Sequence, residues 1–164
     1  MTSKNSERKL DRIDRHILRA LQEDARLSYV ELANKVGLST TPCMERVKKL
    51  ERDGVIIGYH AHLNPHHLDA SLLVFVEISL TYNSPSVFED FRREVMGLPH
   101  VMECHLVSGN FDYLVKARIG EMSAYRGLLG EILQKLPGVS HTRSYVVMEE
   151  VKESTNLHVP DGRR

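Results

Sequence analysis

Residues 28–52, SYVELANKVGLSTTPCMERVKKLER, decide how the rest of the chain is read. Ser28 is a good helix N-cap and Glu31 follows three residues later, the spacing of a capping box, so a short helix opens there and runs to Val36. Gly37 supplies the left-handed residue that ends it. A further helix runs through about Arg52 to a stop at Asp53-Gly54, with Ser39 or Thr41 as its cap. Pro42 sits in its first turn, where an N–H would have no intrahelical acceptor. At about 100° per residue, Cys43, Met44, Val47 and Leu50 gather on one side of this helix. Thr41, Pro42, Glu45, Lys48, Lys49 and Arg52 spread over the other, with Arg46 at the flank. A short helix, a glycine turn and a second helix form the helix-turn-helix pattern, and this division of faces suits a helix that reads the major groove. Thr41 and Glu45 are placed to meet base edges, and Ser39 and Thr40 stand at the helix amino terminus, whose free N–H groups suit a phosphate. Arg46, Lys48, Lys49 and Arg52 are placed to reach phosphates.

Upstream, Ile13, Ile17, Leu18 and Leu21 form a one-sided apolar stripe for a helix near residues 11–23. Downstream, Val55 to Leu63 is rich in β-formers and reads as a small wing or a linking strand before Asn64-Pro65. From Ser71 the order is strand, helix, strand, strand, helix, strand. Leu72, Val74, Val76, Ile78 and Leu80 alternate as one strand face; Phe88, Phe91, Val95 and Met96 make a helical stripe; Val101 to Val107 is a strand. Gly109-Asn110 turns the chain into a strand with Tyr113, Val115, Ala117 and Ile119. Met122, Tyr125, Leu129, Ile132, Leu133 and Leu136 mark a second helix, and Val139 to Val151 a last strand. Leu98-Pro99-His100-Val101 and Leu136-Pro137-Gly138-Val139 repeat one local pattern. The fold class is therefore α+β: an amino-terminal (winged) helix-turn-helix domain followed by a ferredoxin-like βαββαβ sandwich. The expected boundaries are 10–63 for the first domain, 64–70 for a linker, 71–152 for the second domain and 153–164 for a tail.

Both helices of the sandwich lie on one face of its sheet. Leu73 and Phe75 on the first strand, and Tyr145, Val146, Val147 and Met148 on the last, put apolar residues on both faces. A second copy of the chain is the expected cover.

The 164 residues carry 22 Lys+Arg against 22 Asp+Glu, and 41% are hydrophobic, which excludes a wholly disordered chain. The balance hides an asymmetry: residues 1–60 hold 12 basic and 9 acidic side chains, residues 61–164 hold 10 and 13. The longest apolar run, Leu72 to Val76, is far short of the roughly 20 residues of a membrane span. Lys4, Arg8 and Lys9 are followed by no apolar core, so no secretory signal is expected. Cys43 and Cys104 make neither a disulfide framework nor a zinc signature and read as small buried hydrophobes. His60, His62, His66 and His67 are close in sequence, but no carboxylate or cysteine completes a metal set. No nucleophile–base pair, phosphate loop or carboxylate cleft is visible, so no enzyme, metal or cofactor is expected.

Leu10-Asp11-Arg12-Ile13-Asp14, Arg26-Leu27-Ser28, Glu31-Leu32-Ala33, Val36-Gly37-Leu38-Ser39 and Cys43-Met44-Glu45-Arg46-Val47 resemble the amino-terminal domain of Lrp/AsnC-type transcriptional regulators. Leu63-Asn64-Pro65, Val107-Ser108-Gly109-Asn110-Phe111-Asp112-Tyr113-Leu114 and Leu136-Pro137-Gly138-Val139 resemble the same family's effector domain. Thr40 departs from the proline usual in close relatives, and Asn110 from an acidic residue. The resemblance implies a cytoplasmic, nucleoid-associated regulator of double-stranded DNA. It also implies a free amino acid, expected to be leucine, as effector, and self-assembly into dimers and then octamers or larger rings. It places the effector at Gly109, Asn110, Phe111, Asp112 and Tyr113 and nearby strand ends. On the residues themselves, Asp112 suits an α-ammonium, loop N–H groups suit an α-carboxylate, and Leu106 and Met122 suit an apolar side chain. The alternative function is a chromosome-organising protein that wraps DNA with little sequence preference.

Overall fold

The structure, a computed structural model, describes residues 10–82, 84 and 86–161. Lys4, Arg8 and Lys9, and the last three residues of the tail, lie outside the described residues. The described chain forms two compact bodies, residues 10–61 with 153–161, and residues 62–152.

The first body holds α1 (Arg12–Glu23), α2 (Tyr29–Val36) and α3 (Thr40–Arg52). Reciprocal capping boxes start the first two helices. The Asp14 amide donates to Asp11 Oδ1 at 2.8 Å, and the Ser28 amide donates to Glu31 Oε2 at 2.8 Å. Gly37, at φ 72°, takes the left-handed conformation at the end of α2, and the Leu38 amide donates back to Ala33 O at 2.9 Å. Ile17, Ala20, Leu32, Ala33, Val36, Cys43, Val47 and Leu50 close a common core, so three members of the apolar stripe expected of α3 are buried and the fourth, Met44, is only half-buried outside it.

Residues 55–63 differ from expectation. The Val55 and Ile56 amides both donate to Leu50 O, at 2.9 and 3.1 Å, and finish the carboxyl end of α3. Beyond them the chain runs without a strand partner, and Ile57 is 94% exposed. β-Propensity makes a strand only where a neighbour accepts its ladder, and among the described residues none does.

The second body is a four-stranded antiparallel sheet in the order β2-β3-β1-β4: β1 is Leu72–Leu80, β2 Val101–Leu106, β3 Tyr113–Ile119 and β4 Val139–Val146. Helices α4 (Val87–Val95) and α5 (Tyr125–Lys135) pack on one face, where Phe91 and Ile132 meet Val74, Val76, Ile78, Val115 and Ala117. Three details correct the sequence reading. Met96 follows the last turn of α4 and is exposed, because Leu98 turns inward in its place. The buried stripe of α5 is Leu128, Ile132 and Leu136, at intervals of four, which leaves Met122 and Leu133 outside. The last strand ends at Val146, so Met148 and Val151 lie beyond the ladder and are exposed. Gly138, at φ 75°, turns the chain into β4 beside Val87, and a Cβ there would stand 2.3 Å from Val87 Cγ2.

The sheet face away from the helices is only partly apolar. Lys116 donates to Glu103 at 3.1 Å, and the Tyr145 hydroxyl donates to Glu77 at 2.9 Å. Both cysteines are free. Cys43 is wholly buried in the first core, Cys104 lies against the second, and burial raises both thiols, Cys104 to about 11.

Candidate nucleic-acid interface and effector loop

The turn at Gly37 sets α3 across the end of α2, and Val47 and Leu50 lock its roll about its own axis. Ser39 is the N-cap residue, with φ −80° and ψ 159°, which settles the choice between Ser39 and Thr41. Its side chain makes no capping bond, and Pro42 brings no N–H, so the first-turn amides of Thr40 and Thr41 face outward. A helix start in this condition favours an anion. Ser39, Thr40, Thr41, Glu45, Lys48, Lys49 and Arg52 are all exposed on the side away from the core. Lys48, Lys49 and Arg52 form no ion pair among the described residues.

Arg46 is committed elsewhere. Its Nη1 donates to Asp11 Oδ2 at 2.6 Å and to Asp14 Oδ1 at 2.8 Å, and Asp14 is only 2% exposed. Burial pulls the Asp11 carboxyl upward, but the Asp14 amide and the Arg46 guanidinium outweigh it and hold that carboxyl below its ordinary range. The guanidinium thus clamps α3 to the start of α1. Two carboxylates already balance the charge that was expected to reach a phosphate. Tyr59 performs a smaller service on the other flank: its hydroxyl donates to Glu51 Oε1 at 2.8 Å, and burial with that carboxylate raises the phenol far above its usual value.

The loop between β2 and β3 is tied at its base. The Val107 amide donates to Asp112 O at 2.9 Å and the Asp112 amide to Ile78 O at 2.9 Å. The Asp112 carboxylate accepts from the Leu80 amide at 2.7 Å and from the Tyr82 hydroxyl. That hydrogen bond raises the Tyr82 phenol. Asp112 therefore shapes the loop, with Gly109 and Asn110 exposed at its tip and Phe111 half-buried. Tyr113 is corrected: it is 2% exposed and its ring stacks on Phe91 at 4.2 Å. Its alternation with Val115 and Ala117 turns its ring to the core face of β3, where its buried hydroxyl finds no hydrogen-bond partner.

Leu106 and Met122 are both exposed, but they do not meet. Leu106 pairs with Tyr113 at the loop end of β3, whereas Met122 follows the other end. Seven residues at about 3.3 Å put roughly 20 Å of strand between them. Among the described residues no three or more His, Cys, Asp or Glu side chains group so as to hold a metal ion. No helix of the described residues is long and apolar enough to cross a membrane.

Residues 10–57 match the winged helix-turn-helix DNA-binding family, and residues 73–157 match the Lrp/AsnC ligand-binding domain. The chain is 65% identical over 148 residues to the leucine-responsive regulatory proteins of Escherichia coli K12 and Salmonella typhimurium, covering 90% of each partner in the comparison. Among solved structures, an AsnC family transcriptional regulator from Agrobacterium tumefaciens superposes with a TM-score of 0.87 at 38% identity, covering 91% of this chain and 97% of that one. A transcriptional regulator from Neisseria meningitidis in complex with L-Met gives 0.86 at 35% identity, covering 92% and 97%.

Proposed function

The chain belongs to the Lrp/AsnC family of transcriptional regulators, and on that footing we propose that it binds operator DNA through α3 and senses leucine through the β2–β3 loop. It is a transcriptional regulator with a helix-turn-helix DNA-binding domain and an amino-acid-responsive domain. The observation that carries the DNA reading is the outward face of α3: seven exposed polar residues, an uncapped amino end and three unpaired cations on a helix whose roll is locked. Thr41 and Glu45 read base edges, Ser39 and Thr40 present the helix start to a phosphate, and Lys48, Lys49 and Arg52 anchor the backbone.

Two copies present two such helices to half-sites about one helical turn apart, or a multiple of it, at the nucleoid. The effector site is shared between copies, because one chain holds Leu106 and Met122 at opposite ends of β3. Such a site responds to assembly, and an effector that favours one assembly shifts DNA affinity by that preference. Leucine is preferred on the relatives' name, and the Neisseria complex with L-Met adds a second apolar amino acid of similar size.

Gel-shift titration against an operator and a scrambled duplex tests this reading. Operator should be favoured by about 10³-fold or more; equal affinity for both establishes a DNA-wrapping protein instead. Lys49→Ala should weaken binding to both duplexes and lower the salt slope by about one, measured as log Kd against log salt. An unchanged slope removes Lys49 from the phosphate contacts. Asp112→Ala should leave DNA binding measurable and abolish the leucine effect, since the Leu80 and Tyr82 ties that shape the loop are lost. A full leucine response in that variant refutes the loop as the site.

A further inference from the structure

The tail after β4 is attached to the first body, and it is attached in register. Arg15, Arg19 and Gln22 fall at i, i+4 and i+7 on α1, on the stripe opposite Ile17 and Ala20. Gln22 Nε2 donates to Leu157 O at 3.0 Å, and the Leu157 amide returns a bond to Gln22 Oε1 at 2.7 Å. Arg19 donates through Nε and Nη2 to Val159 O at 3.0 and 2.8 Å, and through Nη2 to Asp161 at 2.5 Å. Arg15 Nη1 donates to Pro160 O at 2.9 Å. Seven helical residues at 1.5 Å span about 10 Å, and so do the three extended steps from Leu157 to Pro160. The tail therefore lies antiparallel to α1, read through its carbonyls.

The root of the tail is held inside the second body. Arg118 at the end of β3 is 7% exposed; its Nη2 donates to Glu150 at 2.6 Å and its Nη1 to Ala70 O at 3.4 Å. One buried guanidinium thus holds together the approach to β1, at Ala70, and the segment that follows β4, at Glu150. The effector loop opens the strand that this arginine closes.

We propose that residues 153–161 are a strap through which the effector domain acts on the DNA-binding domain: β3 carries a change at the loop to Arg118, Arg118 moves Glu150, and the tail moves α1. Leu157 is 78% exposed, so the strap is held by hydrogen bonds rather than by burial, as a reversible connection should be. The inference rests on the amino-acid-responsive reading above.

The test uses the full chain carrying Arg19→Ala and Gln22→Ala, with a second variant that stops after Lys152. In gel shifts without leucine both should bind operator within about twofold of the parent, and both should bind leucine by calorimetry. The parent's leucine-dependent change in operator Kd should shrink to about onefold in each. A parental response in either variant overturns the strap, as does loss of operator binding without leucine, which would make the tail part of the DNA-binding fold itself. A parent that responds to no amino acid overturns the effector reading instead. The strap is then judged by thermal unfolding: separation of one transition into two on loss of the tail supports it, and an unchanged profile overturns it.

Discussion

Gly138→Ala is expected to destabilise the effector domain by about 3–4 kcal/mol, and Gly37→Ala to destabilise the DNA-binding domain by only about 1 kcal/mol. The two glycines have nearly the same backbone, φ 75° and φ 72°. A Cβ costs about 1–2 kcal/mol in that conformation wherever it is placed. At Gly37 nothing lies within 4 Å of the new carbon, and the chain can relax at the surface. At Gly138 the carbon would stand 2.3 Å from Val87 Cγ2, on a residue buried at the start of α4, while the Gly138 carbonyl is held by the Thr81 amide at 2.7 Å. Relief requires α4 or the β1–β4 connection to move, which adds about 1–3 kcal/mol. Urea unfolding of the two variants measures the difference. Equal midpoints would mean that Val87 gives way freely.

Arg46→Ala is expected to lower the stability of the DNA-binding domain by about 2–3 kcal/mol, below the 3–5 typical of a fully buried pair because a third of the arginine is solvated. The loss comes from taking the Arg46 guanidinium away from the buried Asp14 carboxylate. Specific operator binding should fall with it, since α3 is released from α1, while the salt slope should keep its parental value. A slope reduced by about one would show that Arg46 leaves its carboxylates for a phosphate. The same clamp has an acid limit. The Asp11 carboxyl is depressed below its ordinary value near 3.8, so its contribution is complete above about pH 4 and is lost as pH falls through the lower folded value. Between pH 5 and 8 the parent's stability should show no step from this group, and in Arg46→Ala the acid transition should move upward.

Much of the DNA-binding domain was legible because its signals are local. Ser28 and Glu31, Gly37, and the Cys43–Val47–Leu50 stripe act within one or two turns of chain, and each does in the structure what its spacing implies. Arg46 was not, because a wheel places a side chain at a flank without saying what waits there, and its partners lie 32 and 35 residues away. Tyr113 carried a usable signal. Its alternation with Val115 and Ala117 marks the core face, although it also closes the loop motif in which the effector residues are expected. Met122 and Leu106 looked like two walls of one pocket only because strand length was left out of the comparison. The tail offered no periodicity at all; its order comes from side chains of α1 that bind backbone atoms, which leave no trace in residue type.

The two free thiols, one buried and one half-buried, share a chemical consequence of their packing. Burial holds both thiols above their ordinary range, and Cys43 is sealed on the core side of α3. Hydroperoxides and electrophiles attack the thiolate, so packing that disfavours the thiolate slows oxidation at both positions. The packing that closes each core thereby also shelters its sulfur.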